Sequence, residues 1–279
     1  MKAREECRGC LARLLHQATE LATDQPRLRG TVERKGLSLL DREFSTNRTS
    51  IAVATPLHRL VRSLTGNADP YFRIKQAELE TAAHVLRDLG HESPTDLRGC
   101  LVHAVRGNNI DFFKDPKTVL KDMTSPVEFV VDDVASFQKK LASATSILYL
   151  ADNAGEVPFD IPLVSLLGTL APVTYVVKGS PVQDDITLAD LERFELRRGL
   201  PRVISTGTDT PGVDMDMASS EFKVEFERAD LVLAKGMGYW ETLSELPAQG
   251  KVLHLLKAKC QPVADSLGVP VNTYVARLW

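Results

Sequence analysis

The sequence has few cysteines, no clustered positive charge and no long apolar run, and each shortage removes a class of protein. Four cysteines in 279 residues, Cys7, Cys10, Cys100 and Cys260, cannot staple a disulfide-dense scaffold; they read as thiols or ligands in a reducing compartment. No stretch reaches the roughly 18 apolar residues of a spanning helix, so no membrane partner is expected. The opening residues, Met1 to Glu6, are charged and lack the apolar core of a signal peptide. A soluble, cytoplasmic protein is expected. Basic residues gather no further than Arg197-Arg198, and the formal net charge is −3. Nucleic-acid binding requires clustered positive charge, so no nucleic-acid partner is expected. A small anionic ligand stays open, because a local pocket can be positive in an acidic protein. There is no internal repeat, no Walker loop and no Gly-x-Gly-x-x-Gly fingerprint. His16, His58, His84, His91, His103 and His254 show no ligand spacing.

What remains is an ordinary globular composition, 43% hydrophobic and 25% charged, with length enough for about two domains. The first part reads as helical. Cys7, Leu11, Leu14, Leu15, Ala18 and Ala22 fall on one face of a 3.6-residue period over Glu6–Ala22, and Pro26 follows as a breaker. A second clear stripe, Leu79, Ala82, Ala83, Leu86 and Leu89, lies between Pro70 and Gly90. Arg27–Phe44 and Leu57–Leu64 also read as helical, as does Thr95–Val105. From Ser146 short β-rich runs alternate with helical ones. The expected strands are Ile147–Ala151, Val173–Lys178, Arg202–Ser205, Ala229–Ala234, Lys251–Leu256 and Val271–Val275. Between them lie expected helices at Phe159–Leu170, Thr187–Arg198, Ser219–Arg228, Glu241–Leu246 and Pro262–Leu267. Alternation with nearly continuous apolar strands predicts a mostly parallel sheet in a three-layer α/β/α, Rossmann-like domain, residues 94–279, behind a smaller all-helical domain, residues 1–93.

Open α/β sheets bind ligands beyond the carboxyl ends of their strands. After Ile147–Ala151 comes Asp152-Asn153-Ala154-Gly155-Glu156. Its hard oxygen donors suit Mg²⁺, Mn²⁺ or a related cation, and Gly155 lets the backbone approach a ligand. An acidic helix cap is the plain alternative. After Val173–Lys178 come Asp184 and Asp185, again open to a capping explanation. Two neighbouring strands that both end in acids bring carboxylates together, a conflict that a bound cation resolves. After Ala229–Ala234 comes Lys235-Gly236-Met237-Gly238-Tyr239-Trp240. A lysine, a glycine turn and a helix start make a credible anion site. Lys257 and Lys259 follow the next strand.

These residues carry a resemblance. The chain resembles the metal-dependent damage-control phosphatase family, in its small microbial branch with an N-terminal Cys-x-x-Cys, here Cys7-Arg8-Gly9-Cys10. The landmarks occur in family order: Gly107-Asn108-Asn109-Ile110-Asp111, Asp152 to Glu156, Pro181 to Asp190, Lys235 to Leu243, and Leu256 to Cys260. The resemblance implies one divalent metal, Mn²⁺, Ni²⁺, Co²⁺ or Mg²⁺, on Asp152, Asn153 and Asp185. It implies a small phosphorylated metabolite as substrate, such as a sugar phosphate. Asn108, Asn109, Gly155, Gly236, Met237, Gly238, Tyr239 and Lys257 would bind it, with Lys235 on the phosphate and Glu156 orienting water or a substrate hydroxyl. The chain departs from the family pattern at Asp184 and at Tyr239, where the pattern has amides. The first departure adds negative charge beside the metal, and the second puts a bulky ring near the phosphate. Two rival functions stay in view: an S-adenosylmethionine- or nucleotide-binding transferase, and a non-catalytic metal- or metabolite-binding protein.

Overall fold

The computed structural model describes residues 1–90, 94–110 and 116–279. The expected domain boundary at residue 93 and the acid Asp111 lie outside the described residues.

The chain opens with α1 (Glu5–Ala22), α2 (Pro26–Glu43), α3 (Ser50–Thr65) and α4 (Phe72–Leu89). The periodic stripe of α1 is its buried face: Cys7, Leu11, Leu15, Ala18 and Ala22. Leu15 and Ala18 pack with Val32 of α2, Val61 of α3 and Ile74 of α4. The helix expected at Leu57–Leu64 begins at Ser50 and runs through Pro56. A proline suggests a boundary, but Thr49 caps the start by accepting a bond from Ala52 N at 3.1 Å, and the helix holds.

Next come α5 (Leu97–Arg106), α6 (Pro116–Thr124), β1 (Phe129–Asp132), α7 (Val134–Leu141), β2 (Ile147–Leu150), α8 (Val157–Gly168) and β3 (Val173–Val177). They are followed by α9 (Leu188–Arg193), β4 (Arg202–Ser205), α10 (Ser220–Arg228), β5 (Leu231–Lys235), α11 (Gly236–Leu243), β6 (Val252–Lys257), α12 (Gln261–Leu267) and β7 (Tyr274–Leu278). The strands form one seven-stranded sheet in the order β1-β7-β6-β5-β2-β3-β4. Every neighbouring pair is parallel except β6 with β7.

Side chains alternate across a strand, and here each set finds its own cover. Ile147, Tyr149, Tyr175, Leu231, Leu233 and Leu253 pack against α5, α7 and α8. Leu148, Leu150, Val176, Val232 and Ala234 pack against Phe222 and Phe226 of α10 and Tyr239 and Leu243 of α11. Burial on both faces explains the near-continuous apolar strands.

Two elements differ from the sequence reading. Strand β1 was not expected; it is a four-residue edge strand with one well-buried residue, Phe129, too short to show a period. The last strand begins at Tyr274 instead of Val271, because Asn272 sits at φ 66° and turns the chain first.

Strand β2 lies between β5 and β3. The chain proceeds outward through β3 and β4, then returns to β5 and β6 on the other side. The carboxyl ends of β2 and β5 are therefore the point where strand order reverses, the crevice where such sheets bind ligands.

Candidate active site

Backbone hydrogen bonds build the site before any side chain does. Beyond β2 the chain is extended at Asn153, and the 184–186 segment lies against it. Ile186 N donates to Asp152 O at 3.0 Å, and Ala154 N donates to Asp184 O at 2.8 Å. Asn153 and Asp185 thus form an isolated antiparallel bridge. This pairing sets Asp185 beside Asp152 and Asn153, as the strand-end argument expects.

Capping does not account for these acids. Asn153 stands before the short turn Ala154–Glu156, yet its side chain makes no cap bond. Thr187 caps α9, with Asp190 completing a capping box, so Asp184 and Asp185 are not used there either. Burial pushes the Asp152 carboxyl well above its ordinary range, and the charges of Glu156 and Asp185 add to the push. Burial also raises Asp185, to about 7, with Lys178 pulling the other way. Asp185 Oδ2 is buried without a well-formed hydrogen bond, Lys178 Nζ standing 3.3 Å away as counter-charge.

Gly236 abuts this group. Its φ is +79°, and a Cβ there would lie 1.7 Å from Asp152 Oδ2. Only glycine satisfies both the left-handed backbone and the close approach. Gly236 also opens α11, and the first amides of a helix, here Gly236, Met237 and Gly238, have no acceptor within the helix itself. Three such N–H groups at a helix start favour an anion.

The lysines are already engaged. Lys235 is fully buried and donates to Glu156 Oε2 and Asp160 Oδ1, each at 2.7 Å. Burial lowers its pKa, but Asp160 and Glu156 more than offset this and the ammonium is held charged. Asp160 accepts in addition from Tyr149 OH at 2.7 Å and Tyr175 OH at 2.9 Å. Glu156 Oε2 also receives Asn108 Nδ2, while Glu156 Oε1 is buried with no hydrogen-bond partner among the described residues. Lys257 donates from Nζ to Asn109 Oδ1 at 2.9 Å and from its backbone N to Asn108 Oδ1 at 3.3 Å. Asn109 Nδ2 goes on to Tyr274 OH at 2.7 Å.

A cleft of ≈ 480 Å³ opens over the site, between the strand ends and α1, α3 and α4. Asp152, Asn153, Asp185, Asn108, Met237 and Gly238 line it. Glu156, Lys235 and Tyr239 do not; all three are buried beneath it. Tyr239 was expected beside the phosphate. Its ring is instead a core surface for Leu148 and Leu150, with Lys178 Nζ 4.1 Å from the ring centre. The helix period turns residue 239 inward when residues 237 and 238 face the cleft. Cys7, Cys10 and Cys260 lie on the cleft wall.

Sequence reading missed Lys178 and Asp160. Lys178 directly follows β3, is fully buried, and donates to Gly212 O beside Asp185. Its signal was a charged residue closing an apolar strand, the same signal that marked Lys235. Asp160 lies in the first turn of α8, where only its three buried partners reveal it.

The donors fit a divalent cation. Two carboxylates and one amide oxygen are a hard set, and Asp185 brings a buried oxygen that its protein neighbours leave without a well-formed hydrogen bond. Among the described residues no three His, Cys, Asp or Glu side chains form a metal-binding group; this set contains only two.

The damage-control phosphatase ARMT1-like domain model matches residues 3–275. A damage-control phosphatase of Pyrococcus horikoshii, PH1575, is 31% identical over 286 residues, 99% of this chain and 97% of that one. A damage-control phosphatase of Archaeoglobus fulgidus is 29% identical over 287 residues, 100% of this chain and 99% of that one. The crystal structure of the Pyrococcus horikoshii protein, titled a DUF89 family protein, superposes with a TM-score of 0.90 at 32% identity, covering 100% of this chain and 99% of that one. From its order of strand-end residues to its whole-chain match, this chain belongs to the damage-control phosphatase ARMT1-like domain family.

Proposed function

We propose that this chain is a damage-control phosphatase that releases phosphate from a small phosphorylated metabolite, a phosphomonoester such as a sugar phosphate. Asp152, Asn153 and Asp185 would hold one divalent cation, Mn²⁺, Ni²⁺, Co²⁺ or Mg²⁺. The observation that carries this reading is the backbone pairing of Asn153 with Asp185, which sets two uncapped carboxylates against the open first turn of α11.

Phosphoryl transfer is chiefly a matter of positioning and charge. A divalent cation supplies positive charge for the phosphoryl oxygens and polarises water. The chain's own part is to orient. The amides of Gly236, Met237 and Gly238 receive the remaining phosphoryl oxygens. Lys235 is committed to Glu156 and Asp160, so it acts as a fixed positive background below the phosphate. Glu156 has one oxygen held by Lys235 and Asn108 and the other without a partner among the described residues, which suits it to accept a hydrogen bond from a water beneath the cleft. Asn109 and Lys257 steady Asn108 and the cleft edge. Gly155 leaves room for Ile110 and Glu78.

The test is phosphate release from a panel of phosphometabolites with each metal in turn. Asp152→Ala is expected to abolish metal-dependent release. Wild-type turnover by the purified variant with Mn²⁺ would overturn the assignment.

We infer also that residues 1–93 and 94–279 are a helical and a three-layer, Rossmann-like α/β/α domain, and that the protein works in the cytoplasm. Helices on both sheet faces support the first reading. Four free thiols support the second.

A further inference from the structure

The 179–187 loop carries Asp185, and it is gripped from two N-terminal helices. The grip from α4 centres on Lys75. This lysine is fully buried and donates to Asp190 Oδ2 at 2.8 Å, with Asp69 Oδ2 at 2.7 Å as its second carboxylate. Asp190 Oδ2 in turn accepts from Thr187 N at 3.1 Å and from Thr187 Oγ1 at 2.6 Å. Thr187 is bridged to Lys178, and Lys178 N donates to Ile186 O at 2.9 Å. Ile186 N then reaches Asp152 O at 3.0 Å. An unbroken run of polar contacts thus leads from Lys75 to the candidate cation ligands.

Its neighbours reinforce the same joint. Phe72 of α4 stacks on Phe194 at 5.7 Å, and the Arg193 guanidinium lies 4.9 Å from the Phe72 ring centre. Glu78, one turn of α4 beyond Lys75, lines the same cleft as Asp184. From α3, Arg62 donates to Pro181 O and pairs with Asp209, which Arg59 also holds. A buried lysine is costly to keep unless it is paired. Here its partners are the cap of α9 and the turn that opens α4, two elements far apart in sequence.

We propose that Lys75 is a positioning residue: by fixing Asp190 and Thr187 it holds the 179–187 loop where Asp185 can share a cation with Asp152 and Asn153. The proposal rests on reading those three residues as the cation ligands. The N-terminal helices are then part of the metal site's support and not only a wall of the cleft. Groups that support metal ligands typically contribute about 10–100-fold in affinity.

The experiment is Mn²⁺ binding by calorimetry on the full chain, with the melting temperature recorded for each variant. Wild type, Asp185→Asn, Lys75→Met and a control, Phe222→Leu, are compared below their melting transitions. Lys75→Met is expected to weaken Mn²⁺ binding by about 10-fold or more, and saturating Mn²⁺ is expected to restore most of kcat. Phe222→Leu destabilises the opposite sheet face and is expected to bind Mn²⁺ as wild type does. If Lys75→Met fails to fold, Thr187→Val removes the hydroxyl bond to Asp190 in the middle of the same run and is expected to weaken binding several-fold. Wild-type affinity in a folded Lys75→Met, or in Thr187→Val where that variant replaces it, would overturn the proposal alone. Wild-type affinity in Asp185→Asn, or no binding by wild type, would overturn the ligand reading and the proposal with it.

Discussion

At the scale of single residues, Gly236 joins backbone strain to chemistry. Its φ of +79° costs any L side chain about 1–2 kcal/mol. Its missing Cβ is the space occupied by the Asp152 carboxylate. Gly236→Ala is therefore expected to lose Mn²⁺ binding and phosphate release together, with a melting temperature lower by several degrees. A variant that melts lower but keeps full activity would show that the contact with Asp152 is incidental. Tyr239 teaches the converse. Three residues from the same glycine, it belongs to the core, and a motif's spacing did not reveal which of its members face the ligand.

At the scale of elements, α8 is joined to the sheet by one carboxylate. Asp160 accepts from Lys235 at the end of β5, Tyr149 of β2 and Tyr175 of β3. Asp160→Ala would leave the buried Lys235 ammonium with Glu156 as its remaining carboxylate and take the acceptor from two buried hydroxyls. Breaking a buried pair typically costs about 3–5 kcal/mol, so a large fall in the urea midpoint is expected. An unchanged midpoint would mean that water replaces the carboxylate at no cost. Helix α1 shows a quieter case. Burial raises the Cys7 thiol, which makes it a poor nucleophile, and its neighbours place it on the cleft wall as a packing residue.

At the scale of the whole molecule, acid stability depends on histidines buried as neutral rings. His254 lies in β6 with both ring nitrogens unpartnered among the described residues and Trp240 at 5.0 Å. Burial lowers its pKa from 6.5 to about 3, and His58, also buried, falls to about 4. With the native pKa depressed, the unfolded chain binds the extra proton between these values and 6.5. Stability is therefore full above pH 6.5 and is lost as pH falls below it. His254 alone accounts for about 2 kcal/mol between pH 7 and 5. His254→Leu is expected to flatten the fall in melting temperature over that range. An equally steep fall in the variant would place the proton uptake elsewhere.

The alternation of strands and helices, the apolar period of α1 and the acids after β2 and β3 were all legible in the sequence. Each is local: hydrophobic periodicity and strand-end residues act over a few positions. Two metal-set strands and the lysine at the end of β5 could be paired in advance because parallel sheets bring their carboxyl ends to one rim. What tertiary structure decided was contact between distant segments. Asp160 became the acceptor for three strands, Lys178 the counter-charge of Asp185, Tyr239 a core ring and Lys75 the anchor of α9. Lys178 alone had a local signal, as a charge closing an apolar run; the contacts themselves had none. The sequence determined which donors this protein brings to the rim; the packing of α4, α8 and α11 determined which of them face the cleft, because a side chain's partners are set by the fold around it and not by its neighbours in the chain.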